Sequence, residues 1–216
     1  MLLCPSMMCA DFRNIKSEVQ KLDKAGTDIF HCDIIDGVYA DNLGLSLQDI
    51  RAIRASTNRR MDVHLMIKDP MKKIKWFIDA GADIIHFHPD AEKDPQALIR
   101  HIHDLGAEAG IVIHPDISVA SLKELIGMSD YVILMTVNPG FSGQKFLDFV
   151  RNKIPELLEL KKQKNFKLIL DGAISPAIVD EFSKIGIDGF ILGTTSLFAK
   201  SKTYAEIMGN LRTCAN

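Results

Sequence analysis

No apolar run in this chain approaches the roughly 20 residues of a membrane-spanning helix. Its first residues, Met1-Leu2-Leu3-Cys4-Pro5, lack the basic start and long apolar core of a secretion signal. The 4 cysteines, Cys4, Cys9, Cys32 and Cys214, form no CxxC pair, which excludes a zinc ribbon and argues against a disulfide framework. A cytoplasmic protein with reduced thiols is expected. Charge of one sign is scarce too: 26 Lys+Arg against 28 Asp+Glu leave a formal net charge of -2, so nothing draws the chain to nucleic acid or an anionic membrane. Neither a GxGxxG nor a GxxxxGK[ST] turn follows any apolar run, which disfavours an open dinucleotide-binding sheet or a P-loop. No Pro/Gly/Ser-rich linker divides the 216 residues, and a single domain over residues 1–216 is expected.

What is present is alternation. Eight short β-rich apolar runs lie near Leu2 to Ser6, Asp28 to Ile35, Met61 to Ile67, Asp83 to His88, Ala109 to His114, Tyr131 to Val137, Lys167 to Asp171 and Gly189 to Gly193. Between them apolar residues recur at helical spacing, as with Ile15, Val19 and Leu22 before Gly26. The chain also echoes itself: AGTDIFH (25–31) returns as AGADIIH (80–86) and, loosely, as IGIDGFI (185–191). One αβ joint is being reused, in which Gly ends a helix, Asp turns the chain and a strand follows. Eight such units are enough for an α/β (β/α)₈ TIM barrel, whose chemistry gathers at the C-terminal ends of its strands.

Polar side chains sit at those ends. In HCDIIDG (31–37) strand alternation puts His31, Asp33 and Ile35 on one face and Cys32 and Ile34 on the other. In RRMDVHLMI (59–67) it groups Asp62, His64 and Met66, and in KLILDGAI (167–174) Asp171 ends an apolar strand. Ionised groups inside a core are costly unless compensated. Two imidazoles and two carboxylates can surround a divalent Zn²⁺, Mn²⁺, Fe²⁺ or Co²⁺, whose charge supplies that compensation; hydrogen-bonded buried His and Asp are the competing explanation. His86, His88 and His114 also end strands, where lining a pocket or capping a strand explains them, while His101 and His103 fall in a helical stretch and are expected to face solvent.

A second constellation suits an anion. NPGFSGQ (138–144), DGAIS (171–175) and GTTSLF (193–198) follow the sixth, seventh and eighth strands. Their glycines let backbone N–H groups approach a phosphate, and a helix start after each loop would add a positive dipole end.

Taken in order, PSMMCADF (5–12), HCDIIDG, DVHLMI (62–67), FHPDA (87–91), MTVNPGFSGQKF (135–146), LDGAI and GTTSLF resemble the ribulose-phosphate 3-epimerase family across essentially the whole chain. The resemblance implies a (β/α)₈ barrel and one divalent ion, Zn²⁺ first among candidates, held by His31, Asp33, His64 and Asp171. It further implies inversion at C3 of a ketose phosphate, with Asp33 and Asp171 as the two bases and an enediolate that the ion stabilises. Ser6, His64, Met66 and Met135 are then substrate contacts. Gly140, Phe141, Ser142, Gly143, Gly172, Ala173, Gly193, Thr194, Thr195 and Ser196 are then the phosphate loops. A homo-oligomer and a small ketose phosphate partner are expected on the same ground. Departures from the family motifs are Ile35 for Met in DVMDG, which removes a sulfur from one pocket wall, VYADN (38–42) for HFVPN, His114 for Asn in NP, and Ala173 for the last Gly of VDGG. MMC, HPD, MTV and GTTSLF lean toward the branch acting on D-allulose 6-phosphate rather than D-ribulose 5-phosphate; Ile35 and Asn138 depart from that branch. The competing readings are a phosphate-binding barrel lyase or decarboxylase, which keeps a Lys on a strand, and a non-catalytic sugar-phosphate binder; the only strand lysine, Lys167, stands at a strand's start.

Overall fold

A computed structural model describes residues 1–214, the side chain of Cys214 excepted. Eight parallel strands, β1 (Leu2–Pro5), β2 (Ile29–Ile35), β3 (Arg60–Met66), β4 (Ile84–Phe87), β5 (Glu108–Ile113), β6 (Tyr131–Met135), β7 (Lys167–Asp171) and β8 (Gly189–Leu192), pair in the order β1-β8-β7-β6-β5-β4-β3-β2. A parallel bridge between Ser6 and His31 brings β1 against β2 and closes the sheet into a (β/α)₈ barrel. Helices α1 (Ile15–Lys24), α2 (Leu47–Arg54), α3 (Ile74–Asp79), α4 (Pro95–Asp104), α5 (Lys123–Ile126), α6 (Ile154–Gln163), α7 (Pro176–Ser183) and α8 (Tyr204–Cys214) alternate with the strands. No helix among the described residues is long and apolar enough to cross a membrane. Cys4, Cys9 and Cys32 are free thiols; the side chain of Cys214 lies outside the described part.

Strand parity separates two apolar layers. Leu3, Phe30, Cys32, Met61, Val63, Leu65, Ile85 and Phe87 point outward and are buried under the helices, whose inner faces supply residues such as Val19 and Leu22 of α1 and Leu98, Ile99 and Ile102 of α4. Cys4, Ile29, Ile84, Val112, Tyr131, Ile133, Ile169 and Ile191 point inward and fill the barrel. Helix starts follow local chemistry. Asp94 caps α4 by accepting from the Ala97 N–H, Ser175 caps α7 from the Ile178 N–H, and each is followed by Pro at the first helical position.

The repeated joint has a structural purpose. At Gly26, Gly81 and Gly186 the backbone takes φ of +94°, +107° and +109°, which glycine adopts without strain. The Asp two residues later opens an even-numbered strand and accepts, through its carboxylate, the first interior N–H of the preceding strand: Asp28 from Leu3, Asp83 from Met61 and Asp188 from Leu168. Asp130 does the same for Ala109, a fourth copy that the sequence echo does not display. Each of these carboxylates also meets a cation or imidazole, in turn Arg212, Arg54, Lys161 and His103. The barrel floor is thereby clamped at four places by charge-assisted bonds.

Strands β2 and β7 end where their apolar runs do, and the other six end one or two residues earlier, so Ser6, Ile67, His88, His114, Thr136 and Gly193 are the first residues beyond them. Helices do not follow all three glycine-rich loops. Only α7 starts directly after its loop; a 3₁₀ segment, Asp148–Lys153, precedes α6. After β8, one turn forms in which the Leu197 and Phe198 N–H groups both donate to the Gly193 carbonyl, and α8 begins only at Tyr204. His103 is exposed as expected, whereas His101 is half-buried.

Asp83→Ala removes both the acceptor of the Met61 N–H and the partner of Arg54. It is expected to lower stability by about 1–3 kcal/mol, seen as a lower urea midpoint with an unchanged m-value.

Candidate metal centre and active site

At the C-terminal end of the barrel β2, β3 and β7 converge. β2 pairs with β3 in a register that sets His31 opposite Asp62 and Asp33 opposite His64. Asp171, the last residue of β7, completes the group from across the barrel. His31 Nε2 lies 3.1 Å from Asp33 Oδ1 and 4.0 Å from Asp171 Oδ2. His64 Nδ1 lies 3.3 Å from the same Asp33 oxygen and 3.7 Å from Asp171. One ligand atom from each of the four residues falls within 4.8 Å of every other. Both imidazoles are fully buried, and the two carboxyls face the cavity above them.

Each member is held from behind. Ser6 Oγ donates to Asp33 Oδ2 at 2.8 Å. His31 Nδ1 sits 2.6 Å from Asp62 Oδ1, at ion-pair distance without hydrogen-bond alignment, and Nε2 is the nitrogen that faces Asp33 and Asp171. His64 Nε2 approaches His88 Nε2 to 2.9 Å. Burial, with His64 and His114 nearby, pushes His88 well below the usual imidazole range. The other nitrogen of the His64 ring, Nδ1, faces the cluster. It is buried and has no hydrogen-bond partner.

The carboxyls are unequally poised. Burial raises the Asp33 carboxyl, but the facing His31 and His64 outweigh it and hold Asp33 well below the usual carboxylate range. Asp171 is pushed up to about 6, by burial first and also by the neighbouring Asp33, against the pull of His31. Burial alone would lower His31; Asp62 and Asp33 reverse that and raise it well above the ordinary imidazole value. Two nitrogens and two carboxylate oxygens, one nitrogen orphaned and aimed inward, fit a divalent transition ion.

Above the cluster lies a partly open cavity lined by Ser6, Asp33 and Asp171, by Met8, Met66 and Met135, and by the loops at Gly140–Gln144, Gly172–Ile174 and Gly193–Thr195. Gly140, Phe141, Ser142, Gly143, Gly172, Ala173, Gly193, Thr194 and Thr195 therefore stand together. Ser196 does not line the cavity, and its Oγ is buried without a partner. The loops are cross-braced. Asn42 Nδ2 donates to the Gly140 carbonyl, Gln144 Nε2 to the Asn138 and Phe141 carbonyls, and Thr136 Oγ1 to the Asp171 carbonyl. At Gly172 a Cβ would come within 2.4 Å of Val137, and Ala173 adopts φ of +51°, a strained conformation for a residue with a Cβ.

Ile35 does not thin the cavity wall, as its replacement of a family Met had led one to expect. It stands beside Met66, its partner in the β2–β3 register, and packs with Ala40, Met8 and Tyr39 without lining the cavity, whose sulfur is supplied by Met8, Met66 and Met135. Sequence reading missed Met8 and Cys9 as cavity residues, although their place just past the first strand put them at the barrel's C-terminal end.

Comparison with known proteins agrees with this layout. A family model described as the ribulose-phosphate 3 epimerase family matches residues 2–198. The ribulose-phosphate 3-epimerase of Aquifex aeolicus is 34% identical over 201 residues, covering 92% of this chain and 90% of that one. The Bacillus subtilis ribulose-phosphate 3-epimerase is 33% identical over 214 residues, 96% and 98% of the two chains. Among solved structures, 3-hexulose-6-phosphate synthase from Salmonella typhimurium superposes with a TM-score of 0.76 at 15% identity over 100% of this chain and 98% of that one. A 3-keto-L-gulonate-6-phosphate decarboxylase from Vibrio cholerae gives 0.72 at 15% identity over 100% and 96%. At that identity these two speak for the barrel alone.

Binding an ion requires His31 Nε2 to give up a proton and Asp171 to be ionised. Apparent Zn²⁺ affinity is therefore expected to fall about tenfold per pH unit while only His31 must lose its proton, and more steeply once the pH drops through about 6. Chelator competition across this range checks it; a flat profile would contradict the assignment.

Proposed function

The chain belongs to the ribulose-phosphate 3-epimerase family and is an epimerase, and on that footing we propose that it inverts C3 of a ketose phosphate by proton transfer between Asp33 and Asp171. The observation that carries the reading is the unequal poise of two carboxyls meeting in one cavity, one held ionised and the other raised to about 6. Separated carboxyl environments of this kind assign a base and an acid to the same site.

Epimerisation needs both. The base takes the C3 proton, the acid returns one to the opposite face, and in the reverse direction the roles exchange; a single base would tend to restore the starting configuration. Held ionised by His31 and His64 and positioned by Ser6, Asp33 is the base that acts first, and Asp171 is the acid. His31, Asp33, His64 and Asp171 would hold a divalent ion, which would supply Lewis-acid stabilisation of the charge that develops on the substrate oxygens. Met8, Met66 and Met135 form a soft wall that keeps bulk water from the reacting carbon. Backbone N–H groups of Gly140–Gly143, Gly172, Ala173 and Gly193–Thr195 hold the phosphate, with no Lys or Arg among the cavity residues.

That absence also weighs against lyase or decarboxylase chemistry. Lys167 stands at the opposite end of the barrel, its Nζ 5.8 Å above the Tyr131 ring. A binder without activity would have no use for a second base.

D-ribulose 5-phosphate, in exchange with D-xylulose 5-phosphate, is the substrate favoured by the names of the relatives. The second reading, D-allulose 6-phosphate in exchange with D-fructose 6-phosphate, rests on Met8, Cys9 and Met135, cavity residues that lie in the MMC and MTV segments. Zn²⁺, a cytoplasmic location and self-association complete the reading.

In D₂O the metal-loaded protein is expected to place deuterium at C3 of ribulose 5-phosphate or allulose 6-phosphate; exchange into neither would reject the proposal, and the ratio of kcat/KM values ranks the substrates. Asp33→Asn and Asp171→Asn should each lower kcat by about 10²–10⁴-fold, and full activity in either variant would remove the two-base assignment.

A further inference from the structure

His86 is a fourth fully buried imidazole near the cluster, and nothing in the proposed chemistry uses it. It occupies in β4 the place that His31 holds in β2, by the repeat of AGTDIFH as AGADIIH. Its Nε2 lies 3.3 Å from Asp62 Oδ2, while the other oxygen of Asp62 lies 2.6 Å from His31 Nδ1. Both contacts are at ion-pair distance without hydrogen-bond alignment, no other donor reaches either Asp62 oxygen, and the whole side chain is fully buried. Among the described residues the two imidazoles are thus the groups that compensate a carboxylate inside the barrel.

Space has been cleared for this arrangement. On the adjacent strand Gly110 pairs with His86, and a Cβ there would fall 2.0 Å from His86 Nδ1. Behind, the His86 ring meets Tyr131 edge to face at 5.7 Å. The inward positions around it carry Ile84, Val112, Ile133 and Ile169. A residue needed only for volume at position 86 would be aliphatic like these, and position 110 would not have to be bare.

We propose that His86 is a positioning residue of the metal centre: it fixes the Asp62 carboxylate against His31 Nδ1 and through it aims His31 Nε2 at Asp33 and Asp171. The inference rests on His31 being a ligand. Without His86, Asp62 Oδ2 faces an apolar void, the carboxylate is free to turn into it, and His31 loses the contact that sets its ring. Outer partners of this kind are worth about 10–100-fold in metal affinity.

The test is Zn²⁺ affinity by chelator competition on the full chain, with thermal unfolding of the stripped protein measured alongside. His86→Leu keeps the volume and should weaken Zn²⁺ by about 10–100-fold. His86→Gln, whose amide nitrogen reaches the place of Nε2 and donates to Asp62, should recover most of that loss. A folded His86→Leu protein that binds Zn²⁺ within about twofold of the parent overturns the proposal, as do equal losses in the two variants, which would mark a packing role. Should His86→Leu fail to fold, His86→Asn replaces it, because its shorter amide cannot reach Asp62. Weaker binding in Asn than in Gln supports the proposal, and equal binding overturns it. A parent protein that takes up no divalent ion would fell the metal reading and this inference together, whereas a parent that binds while the variants match it fells only the inference.

Discussion

The arrangement at the top of the barrel depends on one constraint: an ionised carboxylate cannot stay in an apolar interior without a positive or hydrogen-donating partner. Asp33 and Asp62 are both buried, and both are answered by histidines rather than by Lys or Arg. Imidazole suits the task because it is flat enough for the barrel interior and offers two nitrogens on opposite edges. His31 can therefore face Asp62 with one edge and Asp33 with the other, and His64 can lean on His88 while presenting its second nitrogen to the cluster. The result is a strip of alternating acceptors and donors, Asp33, His31, Asp62 and His86, running down one side of the barrel. Register makes it, since His31 and Asp62 are direct neighbours across β2 and β3.

Period-two alternation was enough to read this partly from the sequence. It grouped His31 with Asp33 and Asp62 with His64, and Asp171 stood at the end of an apolar strand; the structure brings ligand atoms of His31, Asp33, His64 and Asp171 within 4.8 Å. Pairings across strands were not legible, because alternation says which face a side chain takes and nothing about which neighbour it meets. Asp62 accordingly passed as one more inward carboxylate and His86 as a strand-end histidine. Ile35 misled for a related reason. Parity put it on the site's face beside Met66, with which it pairs, but it does not line the cavity, and no one-dimensional pattern distinguishes a lining residue from its neighbour. The absent helix after Gly193 reflects local hydrogen bonding, in which Gly193 O takes two N–H groups and the turn closes on itself.

The two ends of the barrel divide the work. At the floor, four aspartates hold strand N–H groups, and their partners Arg212, Arg54, His103 and Lys161 lie outside the barrel interior, at the surface. At the top, polar groups point inward and backbone strain appears, at Ala173 above all. Stability carried by the floor and by the two apolar layers lets the top tolerate buried charge and a strained loop.

This division explains why the barrel alone says so little about chemistry. Structures that superpose over the whole chain at 15% identity share its fold, which in this chain the outward residues and the floor clamps hold. The inward residues at the C-terminal strand ends are free to differ, since they contribute little to closing the barrel. In this chain those positions carry two acids, three thioethers and three loops rich in N–H donors, with no amine to form an imine. A reaction that only moves a proton between two faces of one carbon needs what that set contains and nothing that it lacks.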